Sequence, residues 1–408
     1  MNEICPIESR NGAIAILKQL REAGFETYFA GGCVRDRLLS DTPTEYDIAT
    51  SARPEDIKNI FPKARSVGES FGVMLIRRNE IMYDVATFRS DGPYSDHRHP
   101  DKVQFSDAEH DAQRRDFTIN GMFEDPIDET IIDFVNGKAD VDARLIRAIG
   151  NPLQRIQEDH LRMLRAIRFS SRFEFSIEDK TAEAIREVAH ELAGISKERI
   201  GEEVKKMLLH PNRGVAAWEM QYLGIDRIIF AEQSCMNAPT RLGRLPAISS
   251  YANTLAAWII DRHGSESNVT NIATKWRGRL LLSNKTFVEL IEILELYRHL
   301  LSWETMGIAK QKRAASSTSC IAALAILQAE DQATFIHIKR GITALKITGI
   351  SPTPLINGHD LLEAGIEPSP SLGKVLENIY DAQLEGTVTT RDEAISLGIA
   401  IYRNLQDS

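Results

Sequence analysis

Two short groups of residues near the amino terminus have types and spacing suited to chemistry on phosphates. The first is the glycine pair Gly31 and Gly32, followed by Arg35, in which glycine permits close backbone approach to a ligand and a helix start attracts phosphate. The second contains Glu45 and Asp47, which are separated by one residue. In an extended segment both carboxylates point to one face, where they could bridge two divalent cations about 3.5–4 Å apart. The two groups together predict metal-assisted nucleotidyl transfer.

The surrounding residues predict a compact α+β unit that ends near residue 150. Residues 11–23 have the apolar spacing of an amphipathic helix, and a second helix is predicted at 54–60. Strands are predicted at 27–30, 46–49, 73–77, 81–88 and 130–134. The run 74–85 is typical of a hairpin, which would place Asp84 on a neighbouring strand as a third carboxylate. Residues 90–101 contain two prolines and a glycine and predict a loop.

After residue 150 the pattern becomes helical almost throughout. Helices are predicted at 153–172, 178–193, 197–209 and 212–222, and helical periodicity continues to the carboxyl terminus. We therefore expect an α+β head at residues 1–150, a helical neck at 151–225 and a helical body and tail at 226–408. The helical part is expected to be elongated.

Composition limits the class of protein. The chain has 408 residues, of which 43% are hydrophobic and 26% charged, as in folded globular proteins of several domains. The longest apolar run, residues 321–327, is far shorter than the roughly 18 residues of a membrane span. Neither a leader nor a CxxC pair is present, so we expect a cytoplasmic protein with reduced cysteines and no zinc site.

The net charge of −9 disfavours a protein that coats long nucleic acids, because such binding depends on many basic residues. It does not exclude a protein that holds one small RNA through local patches. For each basic cluster the alternative is a solvated helix face. The clusters are Arg162, Arg165, Arg168 and Arg172; Lys275, Arg277, Arg279 and Lys285; and Lys310, Lys312 and Arg313.

Two further motifs extend the pattern, RRDFTINGM at 114–122 and EDHLRMLRAIRF at 158–169. With the opening motif, they resemble the class II tRNA nucleotidyltransferases, the family of CCA-adding enzymes and bacterial poly(A) polymerases within the polymerase beta superfamily. The resemblance is dense from about residue 25 to 230 and returns at 358–362 and 365–373. It implies an α+β fold with a polymerase-beta-like nucleotidyltransferase head, followed by an all-helical neck, body and tail.

The resemblance also implies roles for the opening motif. Gly31, Gly32 and Arg35 would hold the triphosphate, and Glu45 with Asp47 would be the catalytic carboxylates that hold Mg²⁺. The family usually has Asp at the position of Glu45. The additional methylene moves this carboxylate, which magnesium, with its strict octahedral geometry, tolerates poorly.

In the later motifs, the resemblance implies contacts to the incoming nucleotide. Arg115 and Asp116 would contact its phosphates and ribose.

Asp159 and Arg162 would read the base edge, with Arg165 and Arg168 contacting the nucleotide further along. On a continuous helix these four residues would fan around one side. A carboxylate that accepts from an amino group, beside a guanidinium that donates to a ring nitrogen, accommodates cytosine and adenine but rejects guanine and uracil. The alternative for the arginines is a surface network with Glu158 and Asp159.

The activity implied by the resemblance is template-independent addition of CMP and AMP, from CTP and ATP, to the 3′ end of tRNA. Open alternatives are an enzyme that adds only CC, only A or poly(A), and a catalytically impaired RNA-binding derivative. The loop at 90–101 disfavours CC-only addition, and the acidic last residues disfavour poly(A) synthesis. The sequence indicates no oligomeric state.

Overall fold

The computed structural model describes residues 5–67, 72–92, 103–265, 268–347 and 349–406. The chain divides into two compact units, one up to Met236 and one from Asn237 onward. The first unit combines a sheet with helices, and the second is helical.

Eleven strands occur among the described residues of the first unit. They are β1 (Thr27–Ala30), β2 (Asp47–Thr50), β3 (Arg65–Ser66), β4 (Val73–Arg78), β5 (Ile81–Thr87), β6 (Arg89–Asp91), β7 (Val103–Phe105), β8 (Phe123–Asp125), β9 (Thr130–Ile132), β10 (Leu145–Ile146) and β11 (Ser176–Ile177).

The α-helices of this unit surround and follow the sheet. They are α1 (Pro6–Glu22), α2 (Gly32–Leu38), α3 (Pro54–Ile60), α4 (Ala108–Gln113), α5 (Gly137–Asp142), α6 (Pro152–Glu158), α7 (Arg162–Phe173), α8 (Asp179–Val188), α9 (Lys197–Leu209), α10 (Arg213–Tyr222) and α11 (Ile225–Phe230). Short 3₁₀ helices cover Thr118–Asn120 and Ala189–Gly194.

Seven strands form one sheet in the order β3-β4-β5-β2-β1-β8-β9. Only the β2–β5 pair is parallel among these neighbours. Its register places Ile48 opposite Val85, so Asp47, the first residue of β2, lies beside Asp84 in the middle of β5. The predicted hairpin is present as β4–β5, and it carries Asp84 on the strand next to Asp47.

Helix α1 covers one face of this sheet through its apolar stripe. Ile16, Leu17 and Leu20 are completely buried, as their spacing of three to four residues predicts. The helix begins at Pro6, earlier than predicted, because proline is well suited to a first helical turn. Tyr83 of β5 donates its hydroxyl to the Ser9 carbonyl oxygen at 3.1 Å, which ties the hairpin to α1.

Two predictions of secondary structure were wrong. Ser90 and Asp91 belong to β6, which pairs with β7, and not to the predicted loop; residues 93–102 lie outside the described part of the chain. The predicted helix 153–172 is two helices, α6 and α7. Asp159 interrupts it with extended backbone angles, φ −145° and ψ 103°, and its carboxylate accepts from the Leu161 N–H at 3.1 Å, which stabilises the break.

The second unit is helical in all its described elements. These are α12 (Thr240–Arg244), α13 (Tyr251–His263), α14 (Val269–Leu280), α15 (Asn284–Leu301), α16 (Ile308–Ser316), α17 (Cys320–Glu330), α18 (Gln332–Ile347), α19 (Gly358–Glu363), α20 (Leu372–Glu385) and α21 (Arg391–Gln406), with a 3₁₀ turn at Trp303–Thr305.

Two apolar clusters hold this unit together. Trp258 of α13 and Trp276 of α14 are fully buried and pack edge to face with centroids 5.3 Å apart. A second cluster around Leu361, Val375 and Ile379 joins the last three helices. The predicted α+β head followed by helices is therefore confirmed. Within the described ranges, no helix is both long and apolar enough to cross a membrane.

Candidate active site

A cavity of about 770 Å³ in the first unit is lined by the ends of β1 and β2, by β5 and by α7. Its charged lining contains six arginines and five aspartates among the described residues. These are Arg35, Arg89, Arg114, Arg115, Arg162 and Arg165, and Asp47, Asp84, Asp91, Asp116 and Asp159. Such a lining fits a polyanionic ligand accompanied by cations better than it fits an apolar molecule.

Most of the residues predicted from the sequence meet in this cavity. Nine of the eleven line it: Gly31, Gly32, Arg35, Asp47, Arg115, Asp116, Asp159, Arg162 and Arg165. Glu45 and Arg168 are not part of the lining.

The glycine turn is held tightly between β1 and the segment after α4. Gly31 has φ of 69°, a conformation that favours glycine, and its N–H donates to the Met122 carbonyl oxygen at 3.1 Å. A Cβ atom on Gly31 would lie 2.9 Å from Nη1 of Arg115. The absence of a side chain therefore lets the Arg115 guanidinium approach the turn closely.

Asp47 is the first residue of β2, and its carboxylate faces the cavity beside β5. Burial raises the pKa of Asp47, the nearby Asp84 and Glu45 carboxylates raise it further, and Arg115 opposes them. Carboxylates that repel one another in this way are suited to hold a cation between them. Glu45 precedes β2 and is exposed, so the prediction that both acids lie on one strand holds only for Asp47.

These oxygen donors fit a divalent metal that arrives with a nucleotide. The described residues contain no group of three or more acidic, histidine or cysteine side chains that could hold a metal by itself. Mg²⁺ at nucleotide sites commonly takes one or two carboxylates and completes its octahedron with phosphate oxygens and water. Asp47 and Asp84 supply such a pair, with Glu45 next to them.

Asp111 of α4 orients two of the cavity arginines, although its role was not predicted from the sequence. Its buried carboxylate accepts from Arg115 at 3.0 Å and from Arg114 at 2.8 Å. Burial alone would raise the pKa of Asp111, but the two guanidinium groups outweigh burial and lower it. Asp111 therefore stays ionised and fixes both arginines at the cavity wall.

Asp116 is bound to Arg165 of α7. Its Oδ2 accepts from Nε at 2.9 Å and from Nη2 at 2.5 Å, while Oδ1 accepts from the Phe117 N–H at 2.8 Å. Burial would raise the pKa of Asp116, but the ion pair with Arg165 prevails and lowers it to about 2. This pair links residues 49 positions apart and joins the sheet region to α7.

Asp159 and Arg162 lie at the break before α7, and each has a partner outside the pair. Arg199 of α9 donates Nη2 to both oxygens of Asp159 at 3.1 Å, and Arg162 donates Nη1 to Glu158 at 2.6 Å. The contact between Arg162 and Glu158 belongs to the surface network that the sequence offered as the alternative to nucleotide binding. Both side chains nevertheless line the cavity, and neither is bound to the other in the described contacts.

Arg168 is not part of the cavity lining. Its Nε donates to the buried Glu203 carboxylate of α9 at 2.7 Å, and its guanidinium lies 4.3 Å from the Phe169 ring centroid. Phe169 itself lines the cavity. The cause is helix geometry: once α7 starts after the break, Arg168 lies on the side of the helix that packs against α9.

Comparisons with known proteins agree with this geometry. Residues 27–147 match the model of the poly(A) polymerase head domain, and residues 174–236 match the probable RNA- and SrmB-binding site of polymerase A. Residues 252–397 match the model of putative domain 2 of tRNA nucleotidyltransferases. Together the three matches cover most of the chain.

Full-length relatives match as well. The CCA-adding enzyme of Enterococcus faecalis is 33% identical over 402 residues, which is 94% of each chain. That of Streptococcus mutans is 33% identical over 397 residues, 94% of this chain and 95% of the relative. The crystal structure of the Bacillus stearothermophilus CCA-adding enzyme in complex with CTP superposes with a TM-score of 0.78 at 28% identity, covering 97% of this chain and 98% of that one. The chain therefore belongs to the class II tRNA nucleotidyltransferase and poly(A) polymerase family, as a member similar to its CCA-adding enzymes.

Proposed function

We propose that this protein adds CMP and AMP, taken from CTP and ATP, to the 3′ end of tRNA without a nucleic-acid template. One observation carries the proposal: the carboxylates Asp47 and Asp84 and the base-reading candidates Asp159 and Arg162 line the same cavity. Protein side chains can thus select the base at a site where nucleotidyl transfer can take place. The curated relatives of similar length are named CCA-adding enzymes, which supports this assignment.

The reaction follows from the chemistry of phosphoryl transfer. The 3′ hydroxyl of the tRNA attacks the α-phosphorus in line; a new O–P bond forms, the bond to the β-phosphate oxygen breaks, and pyrophosphate leaves. We assign Asp47, Asp84 and Glu45 to hold divalent metal, with Mg²⁺ as the proposed ion. When bound, this metal lowers the pKa of the attacking hydroxyl and neutralises charge on the leaving pyrophosphate.

The arginines and the glycine turn position the triphosphate. Arg115 lies against Gly31 and is fixed by Asp111, so a guanidinium is held ready beside the turn. A prepositioned cation loses little conformational entropy when it binds phosphate. Arg35 stays assigned to the same triphosphate, although it is only 4% exposed and already bonded to Asp36 and Asn120.

Base selection is assigned to the break before α7. The Asp159 carboxylate can accept from the amino group of cytosine or adenine, and Arg162 can donate to the neighbouring ring nitrogen. Guanine and uracil present a carbonyl oxygen where these bases present the amino group. Asp116 is assigned to the phosphates and ribose with Arg115, and Arg165 and Arg168 stay assigned to contacts with the nucleotide further along.

The remaining predictions complete the proposal. Residues 1–150 would form the catalytic head, 151–225 the neck and 226–408 the part that holds tRNA. A cytoplasmic location is proposed because tRNA would be the substrate. Enzymes that add only CC, only A or poly(A), or an impaired RNA-binding derivative, remain the alternatives. Addition to a tRNA that lacks its last three nucleotides, with each nucleoside triphosphate singly and with CTP and ATP together, separates all of them by product length.

Asp47→Ala tests the metal assignment. We expect nucleotide addition to be lost while tRNA affinity changes little, because the RNA would be held mainly by the helical parts. Asp142→Ala removes an exposed carboxylate from α5 and serves as the matched control. Both proteins are compared in gel-based extension and filter-binding assays. Substantial turnover by Asp47→Ala would show that the metal is held elsewhere.

A further inference from the structure

Asn120 contacts three of the residues assigned to the nucleotide, although its type and position suggested no role. It ends the 3₁₀ helix after Asp116, is 8% exposed and lines the cavity. Its Oδ1 accepts from Nη1 of Arg35 at 2.5 Å, and its Nδ2 donates to Oδ1 of Asp116 at 3.1 Å. Its main-chain oxygen accepts from Nη1 of Arg115 at 3.3 Å.

The chemistry of these partners fixes the amide in one orientation. Arg35 can only donate, so the amide oxygen must face it. The ion pair with Arg165 keeps Asp116 ionised, so Asp116 can only accept and the amide nitrogen must face it. Among the common residues of this size, aspartate would lose the donor and leucine would lose both groups.

Asn120 thereby completes a connection between the glycine turn and α7. The chain of contacts runs from Arg35 through Asn120 to Asp116, and from Asp116 to Arg165 of α7. The guanidinium groups of Arg35 and Arg165 also lie 5.6 and 5.3 Å from the Phe169 ring centroid. The phosphate end and the base end of the cavity are thus joined by direct contacts.

We propose that Asn120 is a positioning residue, which holds Arg35 and Asp116 at the separation that the bound nucleotide requires. This inference rests on the proposed function, because it concerns the same nucleotide. A purely structural role predicts only lower stability when Asn120 is replaced. A positioning role predicts that activity depends on a donor at this position, even in a folded protein.

Asn120→Asp gives a test that stability alone cannot satisfy. At alkaline pH the new carboxylate would repel Asp116, and the nucleotide site would be distorted. At lower pH the two acids share a proton, and the O–H group replaces the lost N–H donor. The charged groups around the pair are Arg35 from α2, Arg115 after α4, and Arg162 and Arg165 from α7.

The measurement is the kcat/KM for addition of CMP from CTP, divided by the wild-type value, at each pH between 6 and 8.5. The dissociation constant of CTP is measured in parallel without tRNA. The ratio should rise as pH falls, by about tenfold per pH unit above the apparent pKa of the pair. Asn120→Leu should lose activity to an extent that does not vary with pH. Circular dichroism establishes that each variant is folded at each pH.

Asn212→Asp is the matched control. Asn212 donates Nδ2 to the Glu174 carboxylate at 3.0 Å, as Asn120 does to Asp116, but it lies outside the cavity lining. The kcat/KM of Asn212→Asp relative to wild type should not change between pH 6 and pH 8.5. A flat ratio for Asn120→Asp, or an equal acid recovery in Asn212→Asp, overturns the inference.

The two proposals fail differently. A wild-type protein that binds CTP but adds no nucleotide would contradict the proposed function, and the pH dependence of CTP affinity in Asn120→Asp would still decide the positioning role. A wild-type protein that does not bind CTP contradicts both.

Discussion

Replacing Glu219 by glutamine should stabilise the packing of α10 against α7 at alkaline pH. The Ser170 hydroxyl of α7 lies 2.5 Å from Oε1 of Glu219 and 2.6 Å from the Phe175 carbonyl oxygen. A hydroxyl has one proton and cannot donate to both oxygens, so a protonated Glu219 satisfies the geometry better than a carboxylate does. Its other oxygen, Oε2, is buried and has no hydrogen-bond partner in the described structure.

The magnitude follows from the shifted pKa. Burial raises the pKa of Glu219 from 4.5 to about 7, against the opposing Ser170 hydrogen bond. Because the folded-state pKa is the higher one, this group contributes fully below the unfolded pKa of 4.5, and its contribution is lost as pH rises to about 7. The difference of about 2.5 pH units corresponds to about 3 kcal/mol at 1.36 kcal/mol per unit. Between pH 5.5 and 8.5 the wild type should lose about 2 kcal/mol of this stabilisation.

Hydrogen exchange provides the assay because it reports local opening in a protein of two units, which need not unfold in one step. In peptides from α7 and α10, the free energy of local opening is compared between Glu219→Gln and wild type. The difference, variant minus wild type, should increase by about 2 kcal/mol from pH 5.5 to pH 8.5. Glu187→Gln, an exposed carboxylate of α8, should show no such growth. A constant difference, or one that shrinks with rising pH, would refute the reasoning.

Two further predictions concern the site itself. Arg162→Ala should relax selection against UTP and GTP by roughly 1–3 kcal/mol, or about fivefold to 160-fold. Unchanged selectivity of Arg162→Ala in single-nucleotide incorporation assays would contradict the base-reading role. Arg168→Ala, in contrast, should mainly lower the unfolding temperature, because the partner of Arg168 is Glu203. Glu45→Asp should keep or raise activity in Mg²⁺, whereas Glu45→Gln should lose most of its activity. Replacing Mg²⁺ by Mn²⁺ should increase the rate of the wild type more than that of Glu45→Asp. Equal initial rates for wild type and Glu45→Gln would show that Glu45 binds no catalytic metal.

The features that the sequence predicted correctly depend on residues close together in the chain. The strand before Gly31, the turn and the hairpin carrying Asp84 all follow from local composition and short-range spacing. The hairpin places Asp84 on β5 for the same reason. The position of Asp84 beside Asp47 additionally needs the parallel pairing of β5 with β2, which short-range spacing does not determine.

The features that were missed depend on distant partners. At the break, Asp159 accepts from the Leu161 N–H and also binds Arg199, 40 positions away, and apolar periodicity indicates neither contact, so it predicted an uninterrupted helix. Arg168 carries the same motif context as Arg165, yet Glu203 holds it away from the cavity. Asn120 bonds to Arg35 across 85 positions, and no local pattern marks an amide that serves two such partners.

The order of the chain has a consequence for synthesis on the ribosome. The carboxylates of β2 and β5 are complete once Asp84 is made, but Arg199, which clamps Asp159, follows 115 residues later (199 − 84). At roughly 5–20 residues per second, this interval lasts about 6–23 s. A nascent chain therefore carries the carboxylates of Asp47 and Asp84, the proposed metal ligands, for about 6–23 s before the helix that holds Asp159 has been made. Under the proposed assignment of Asp159 to the base edge, nucleotide selection would be acquired only when α9 has emerged and docked.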